Sequence, residues 1–152
     1  MKKTLLVLMS ILCVGLVQAQ SLDVSANFGV ITRNDFKFDP LILSGNVTID
    51  FSVSKFLTIS PECTFYANSK FASATMILAP GGILNFTAGP LAIGAGIVKE
   101  FWLKSSDVSI PLELKIRAGI QASKYRLGAY MLTPFDNLFK QKSFGFTLGF
   151  AL

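Results

Sequence analysis

The last ten residues of the chain, 143-SFGFTLGFAL-152, carry a large apolar side chain at every second position. Side chains alternate between the two faces of a β-strand, so one face of this segment is apolar and the other is nearly empty. The apolar face consists of Phe144, Phe146, Leu148, Phe150 and Leu152. Chain ends are usually polar and frayed. This end therefore predicts a docked strand whose apolar face meets either a protein core or lipid.

The same alternation recurs upstream in LILSGNVTIDFSV (41–53), LTISPECTFY (57–66) and SIPLELKIRAGIQ (109–121). Together with less regular segments, these stretches predict eight strands, each close to the roughly 9–11 residues that cross a bilayer when tilted. In the fourth strand, Pro80 followed by two glycines predicts a bulge or bend. The predicted strands are 22–31, 41–54, 56–68, 73–86, 91–102, 108–122, 124–132 and 143–152.

The first nineteen residues have the three parts of a secretory signal peptide. Lys2 and Lys3 provide the basic start, an apolar run follows, and a small-residue site predicts cleavage after Ala19. Residues 20–152 then form one domain. Cleavage lowers the formal net charge from +5 to +3, and no basic cluster indicates a nucleic-acid surface.

The composition favours a membrane barrel over a soluble domain. Charged residues make up 15% of the chain, against about 25% in ordinary soluble domains. After residue 20 no apolar run reaches helical spanning length, and only helices and closed barrels satisfy their backbone in lipid. Cys63 is the one cysteine left after cleavage, so no internal disulfide can form. These observations predict an all-β protein, an eight-stranded antiparallel up-and-down transmembrane β-barrel.

The connections alternate in length, as in bacterial outer-membrane barrels, whose short turns face the periplasm. Short joins are predicted near 54–55, 87–90 and 123, and long polar loops at TRNDFKFDP (32–40) and TPFDNLFKQK (133–142). Aromatic residues near each rim predict two interfacial girdles. The girdle nearer the short turns comprises Phe51, Phe56, Phe86 and Tyr125. The girdle nearer the loops comprises Phe65, Phe71, Phe101, Trp102 and Tyr130.

The polar face of the strands indicates which side is the interior. It is mostly Ser, Thr, Asn and Gly with a few charges of both signs, which suits the crowded lumen of a small barrel. A soluble ligand-carrying barrel also alternates, but its polar face should be rich in Lys and Glu. Charges in such a lumen need partners, so we predict an interior polar cluster that is structural, with a solute path as the alternative. Its predicted members are Asp50, Glu62, Glu113, Lys115, Arg117 and Arg126.

Several of these stretches resemble a known group of proteins. The segment SFGFTLGFAL (143–152) looks like the C-terminal signature that the barrel-assembly machinery recognises, although Leu152 replaces the usual terminal aromatic residue. FLTISPECTFY (56–66) and VSIPLELKIRAGI (108–120) resemble outer-membrane β-barrel domain proteins of the porin-family or PorT-like kind. The resemblance implies location in the cell outer membrane, and implies no particular activity.

The residues exclude several chemistries. The chain contains no histidine, on which barrel enzymes rely for proton transfer, so we expect no enzymatic activity. No histidine and one mature cysteine also argue against a metal site, and no cofactor is expected. GAGIVK (94–99) lacks the third glycine and the Gly-Lys-Ser/Thr ending of a phosphate loop, so we interpret it as packing.

The predicted function is a structural or interaction role in the outer membrane, such as envelope integrity or docking to a surface or secretion partner, with the interior plugged by side chains. The alternatives are a narrow or gated pore for small solutes and a soluble periplasmic lipid-binding barrel. The expected partners are outer-membrane lipid, the barrel-assembly machinery and a protein at the loops. The loop aromatics that could touch such a protein are Phe36, Phe38, Phe135 and Phe139.

Overall fold

The computed structural model describes residues 21–33, 37–68, 76–103, 111–138 and 140–152, with side chains omitted at 33 and 37–40. The predicted signal peptide therefore lies outside the described residues, as do Phe36, Phe71 and Phe139 and the side chain of Phe38. The strands are β1 (Ser21–Arg33), β2 (Lys37–Ser52), β3 (Leu57–Asn68), β4 (Met76–Ala88), β5 (Leu91–Lys99), β6 (Phe101–Trp102), β7 (Leu112–Ala122), β8 (Tyr125–Pro134) and β9 (Ser143–Ala151). A short 3-10 helix spans Phe135–Asn137. No helix in the described part of the chain is long and apolar enough to cross a membrane.

The strands close into an eight-stranded antiparallel barrel, as predicted. Successive strands pair when β5 and β6 are counted as one strand, and β1 pairs with β9 to complete the ring. The C-terminus is docked, because the Ala151 amide donates to the Lys124 carbonyl and the Leu152 amide to the Val24 carbonyl. Among the described strands, closure pairs both edges of the sheet, as barrels do to remove exposed edges.

Segments β5 and β6 are two parts of one barrel strand. Both pair with β4 in a single register, from Gly81 opposite Val98 to Ile77 opposite Trp102, and the pairing with β4 lapses between them at Lys99 and Glu100. The bulge predicted at Pro80 is absent, because β4 keeps one register with β3 on one side and with β5 and β6 on the other. Proline lacks an N–H group and cannot donate a hydrogen bond to a neighbouring strand. The pairing of β4 is therefore interrupted only toward β5 and β6, the side on which that donor is needed.

The first connection differs from the prediction of a long loop over 32–40. Strand β1 continues to Arg33 and β2 begins at Lys37, and these two residues pair across the hairpin. A register irregularity follows Ile31, so that residues 38–41 of β2 lie opposite Thr32 alone. Pro40 falls in this bulge, where its missing donor costs the ladder nothing.

Tight turns define one rim, which we call the short-turn rim. It holds Val53–Phe56, Gly89–Pro90 and Ser123–Lys124, together with the start of β1 and the end of β9. Gly89 has a φ of 60°, the left-handed region where glycine is favoured at the first central position of a two-residue hairpin. The opposite end, the loop rim, is where β1, β3, β6 and β8 end and β2, β4, β7 and β9 begin.

Large apolar side chains point outward from all eight barrel strands. Each strand contributes at least one exposed side chain near its middle: Phe28, Val47, Phe65, Leu84, Ile97, Ile116, Leu127 and Leu148. Cys63 is also exposed on this face. The orientation agrees with the alternation in the sequence, and it places the polar residues inside.

Candidate functional site: the polar lumen

Polar side chains line the half of the lumen nearer the short-turn rim. They alternate with the outward apolar residues, and most of them are buried even though they carry hydroxyl, amide or charged groups. The buried polar residues facing the lumen on β1 to β4 and β7 include Ser25, Ser44, Asn46, Thr48, Asp50, Thr58, Ser60, Glu62, Thr64, Asn85 and Lys115. Buried polar groups require partners, so the lumen is organised by hydrogen bonds.

One ion-pair group joins β3 to β7 across the lumen. Lys115 Nζ lies 2.5 Å from Glu62 Oε1, and both side chains are almost fully buried. Arg117 Nη1 lies 3.6 Å from the other oxygen of the same carboxylate. The Glu62 carboxylate is therefore shared by two cations.

A second ion pair lies nearer the short-turn rim, where Arg126 Nη1 contacts Asp50 Oδ2 and donates to Ser25 Oγ at 3.0 Å. The two groups are connected by polar side chains. Ser60 Oγ donates to Asp50 Oδ1 at 2.5 Å, and Asn85 Nδ2 donates to Ser60 Oγ at 2.6 Å.

Arg117 Nε completes this connection by donating to Asn85 Oδ1 at 2.7 Å. The charges of five of the six predicted cluster residues thus belong to one network. Its linking residues, Ser60 and Asn85, were not predicted as site residues. Their positions in the sequence could have identified them as lumen-facing, because each alternates with outward apolar neighbours in its strand.

Glu113, the sixth predicted residue, also faces the lumen, but it lies closer to the loop rim than Lys115. It is half-buried and pairs in register with Val98 on β5 and Pro134 on β8. The ion-pair partner of Lys115 is Glu62 rather than Glu113.

A chain of amides supports the opposite wall. Asn27 Nδ2 donates to Asn46 Oδ1 at 3.0 Å, and Asn46 Nδ2 donates to Thr64 Oγ1 at 2.8 Å. Thr48 Oγ1 donates to the same Asn46 oxygen at 2.6 Å. These contacts fix β1, β2 and β3 relative to one another from the inside.

The half of the lumen nearer the loop rim is mostly apolar, although Glu100 and Glu113 also face inward there. Its buried cluster, which we call the apolar layer, comprises Ile31, Tyr66, Ile77, Ala79, Val98, Tyr130 and Leu132, with Ile42 and Trp102 packed against it. The girdle prediction is therefore wrong for Trp102 and Tyr130, which face inward. Tyr130 links the two halves, because Lys115 Nζ lies 4.5 Å from its ring centroid.

A cavity of about 530 Å³ lies within the polar half of the lumen. Its lining includes Gly89, Pro90 and Ser123, so it reaches the short-turn rim, and it extends inward to Tyr130. We call this space the vestibule. The charged residues that line it are Asp23, Asp50, Glu62, Lys115, Arg117 and Arg126.

The five residues of the predicted assembly signal lie on β9 and just beyond it. Phe146, Leu148, Phe150 and Leu152 are exposed on the outer surface, and Phe144 is half-buried. Their role in recognition by the assembly machinery stays a prediction. The glycines between them face inward.

Gly145 offers a test of lumen packing, because a Cβ atom added there would overlap the Tyr130 ring. We expect Gly145→Ala to lower the free energy of unfolding by about 1–3 kcal/mol, the usual cost of overpacking. Gly45→Ala is the matched control, since a Cβ at Gly45 meets nothing within 4 Å. Urea unfolding in lipid vesicles measures both, and equal stability of the two variants would contradict this packing.

Metal chemistry finds no support in the described residues, where no group of three or more His, Cys, Asp or Glu side chains could hold an ion. The lumen as described offers hydrogen bonds, ion pairs and a cavity of about 530 Å³. These contacts tie the strands of the barrel together from the inside.

The fold is a closed eight-stranded antiparallel β-barrel with an apolar outer surface and a polar lumen. The N-terminal β-barrel domain of OprF from Pseudomonas aeruginosa is similar, with a TM-score of 0.57 and 14% identity over 89% of this chain and 100% of that one. The de novo designed protein TMB2.3 has a TM-score of 0.53 and 15% identity over 87% and 94%. Ail, the attachment invasion locus protein of Yersinia pestis, has a TM-score of 0.44 and 12% identity over 86% and 97%. No protein-family model and no curated protein matches the chain.

Proposed function

We propose that this chain is an integral outer-membrane protein, exported by a cleaved signal peptide, with a structural or interaction role and no enzymatic activity. The observation that carries the proposal is the outward apolar surface on every barrel strand, combined with a polar, ion-paired lumen. Exposed apolar area of this extent is unfavourable in water and favourable against acyl chains. The same orientation argues against a soluble lipid-binding barrel, whose apolar side chains would face inward.

The lumen favours a plugged barrel over an open pore. The apolar layer spans the loop half of the described lumen, and Tyr130 packs between Lys115 and Gly145. We propose that this layer blocks the passage of ions, and that the loops present the surface for a protein partner. Phe135 is exposed there and is available for contact. The absence of histidine supports the non-enzymatic assignment.

A gated pore is the second candidate, and the vestibule is the observation that favours it. The narrower assignment to porin-family or PorT-like proteins rests on the resemblance of residues 56–66 and 108–120. This assignment implies the same location in the outer membrane, and it is compatible with both a plugged barrel and a gated pore.

Two measurements test the proposal. We expect the protein in the membrane fraction, migrating faster on a detergent gel before boiling than after it, because closed barrels resist detergent until heated. In planar bilayers we expect no single-channel steps. Recovery in the soluble fraction would contradict membrane insertion, and reproducible conductance steps would favour the pore.

A further inference from the structure

A groove of about 670 Å³ crosses the outer surface of the barrel between two rows of outward side chains. Each row follows register pairs across β5, β7, β8, β9 and β1, so its members lie side by side. The floor is the backbone of the residues between the rows, most of which also line the vestibule on the inner side. The row nearer the short-turn rim consists of Leu91, Ile120, Leu127, Leu148 and Phe28, and the other row consists of Ile93, Ala118, Ala129, Phe146 and Val30.

The groove is widest at β7 and β8, where the second row contains two small side chains. Ala118 and Ala129 pair in register, and the larger side chains of Ile93 and Phe146 flank them. Both alanines are exposed, so no part of the described chain covers the floor of the groove beside them.

The groove runs from the short-turn rim toward the middle of the barrel. Leu91, at one end, directly follows the Gly89–Pro90 turn, whereas Phe28, at the other end, lies in the middle of β1. This slope arises because register pairs lie at right angles to the strands, which are tilted in a barrel. Neighbouring strands are about 4.8 Å apart, so a groove across these strands is about 19 Å long. One leaflet contributes roughly 15 Å to a hydrocarbon core of about 30 Å, so the groove has the length and direction of an acyl chain anchored at the rim.

A lysine stands at the rim end of the groove. Lys124 lies on the exposed turn between β7 and β8, the strands that carry Ile120 and Leu127. Its carbonyl accepts a hydrogen bond from the Ala151 amide, which holds the turn against β9. No described residue forms an ion pair with its ammonium group. The cation is therefore available to a ligand that lies in the groove.

The negative charges of this rim lie away from the groove. The acidic side chains described there, Asp23 and Asp50, line the vestibule and so face the other side of the sheet. Leu152, with the carboxylate that follows it, is bonded to Val24 of β1, on the far side of β9 from Lys124. The outer surface is therefore cationic at the rim end of the groove and apolar below it.

We propose that the groove binds one phospholipid with an anionic headgroup, whose phosphate pairs with Lys124 and whose acyl chain lies between the two rows. The inference rests on the proposed membrane insertion, and adds to it a particular site and a headgroup charge. Bulk lipid covers the rest of the apolar surface, so hydrophobic burial does not distinguish this site. The distinguishing contributions are the contacts of one chain with both walls and the floor, and the attraction between the ammonium group and an anionic headgroup.

Native mass spectrometry of the folded full chain, released from detergent micelles, tests the headgroup preference. The competing probes are dimyristoylphosphatidylglycerol, which is anionic, and dimyristoylphosphatidylcholine, which is zwitterionic. We expect one phospholipid retained per chain, with the anionic probe favoured about five-fold, which corresponds to about 1 kcal/mol for one lysine at an anionic lipid surface. Lys124→Gln should remove this preference and still retain one lipid. Lys55→Gln is the matched control and should keep the preference, because Lys55 lies on an exposed turn of the same rim outside the groove.

Filling the groove tests its walls. Ala118→Phe and Ala129→Phe, made separately, each place a ring over the floor and should cause loss of the retained lipid. Both side chains point away from the lumen, so the variants should keep their heat-sensitive gel mobility, and either one that folds provides the test. Ala95→Phe is the matched control and should retain the lipid, because Ala95 is exposed on β5 but lies outside the groove lining.

Several results would overturn the inference. These are a membrane-inserted chain that retains no lipid, equal losses in the Ala95, Ala118 and Ala129 variants, and an unchanged headgroup preference in Lys124→Gln. Dimers that depend on the groove, in place of a lipid adduct, would assign it to a second copy of the chain. Recovery of the chain in the soluble fraction would instead contradict the proposed function, so the two failures are distinguishable.

Discussion

Replacing Glu62 with glutamine is expected to lower the free energy of unfolding by about 3–5 kcal/mol, the usual cost of breaking a buried ion pair. The substitution preserves the shape of the side chain but leaves Lys115 and Arg117 without their shared carboxylate. Lys115 is almost fully buried, so the side chains around it limit how far it can recover hydration. Urea unfolding in lipid vesicles provides the measurement.

A double-mutant cycle makes this expectation specific. Combining Glu62→Gln with Lys115→Met removes both members of the close pair, and we expect most of the lost stability to return, because an apolar replacement of a buried pair is often neutral or better. Asp136→Asn, at an exposed position in the 3-10 helix, is the control and should change stability little. A loss below about 1 kcal/mol for Glu62→Gln would mean that the charge is hydrated and the lumen is open to water around it.

Placing arginine at Leu148 is expected to cost about 2–4 kcal/mol in a bilayer, as charged residues do at the midplane of membrane barrels. Leu148 lies in the middle of β9 on the outer surface, opposite Phe28 on β1 and Leu127 on β8. The expected loss comes entirely from desolvating the guanidinium in hydrocarbon. On a water-facing surface the same substitution would be nearly neutral.

Leu152→Arg is the matched control for this substitution. It lies on the same face one residue beyond β9, at the short-turn rim, and is the more exposed of the two residues. Near the interface the cost should fall to about 0–1 kcal/mol. Equal effects at the two positions would contradict the placement of Leu148 in the hydrocarbon region.

Which side chains of a strand share one face was predictable from the sequence, because it is a local property of the strand. A period of two assigns Phe146 and Leu148 to one face, and Glu62 and Arg117 to the other, without knowledge of any partner strand. The sequence could not specify which charges pair. Lys115 and Glu62 are 53 residues apart and meet across the lumen only because closure sets the registers of β3 and β7.

The apolar layer was missed for a related reason. At the loop end of the strands both faces are apolar, as in Ile77 and its outward neighbour Leu78. The alternation of side chains therefore does not indicate there which face points into the lumen. Trp102 and Tyr130 were assigned to a girdle because an aromatic residue at a membrane interface and one in a packed lumen have the same local pattern. The bulge at 38–41 was missed because charged residues and a proline resemble a loop.

The central claim is that the apolar face meets lipid and the polar face lines the lumen. Nitroxide labels at two adjacent positions of β9, introduced as Leu148→Cys and Thr147→Cys in a chain with Cys13 and Cys63 replaced by serine, test it in lipid vesicles. We predict that the label at 148 collides readily with dissolved oxygen and rarely with a water-soluble nickel chelate, and that the label at 147 is far less accessible to oxygen. The reverse pattern, or strong nickel accessibility at 148, would contradict the account.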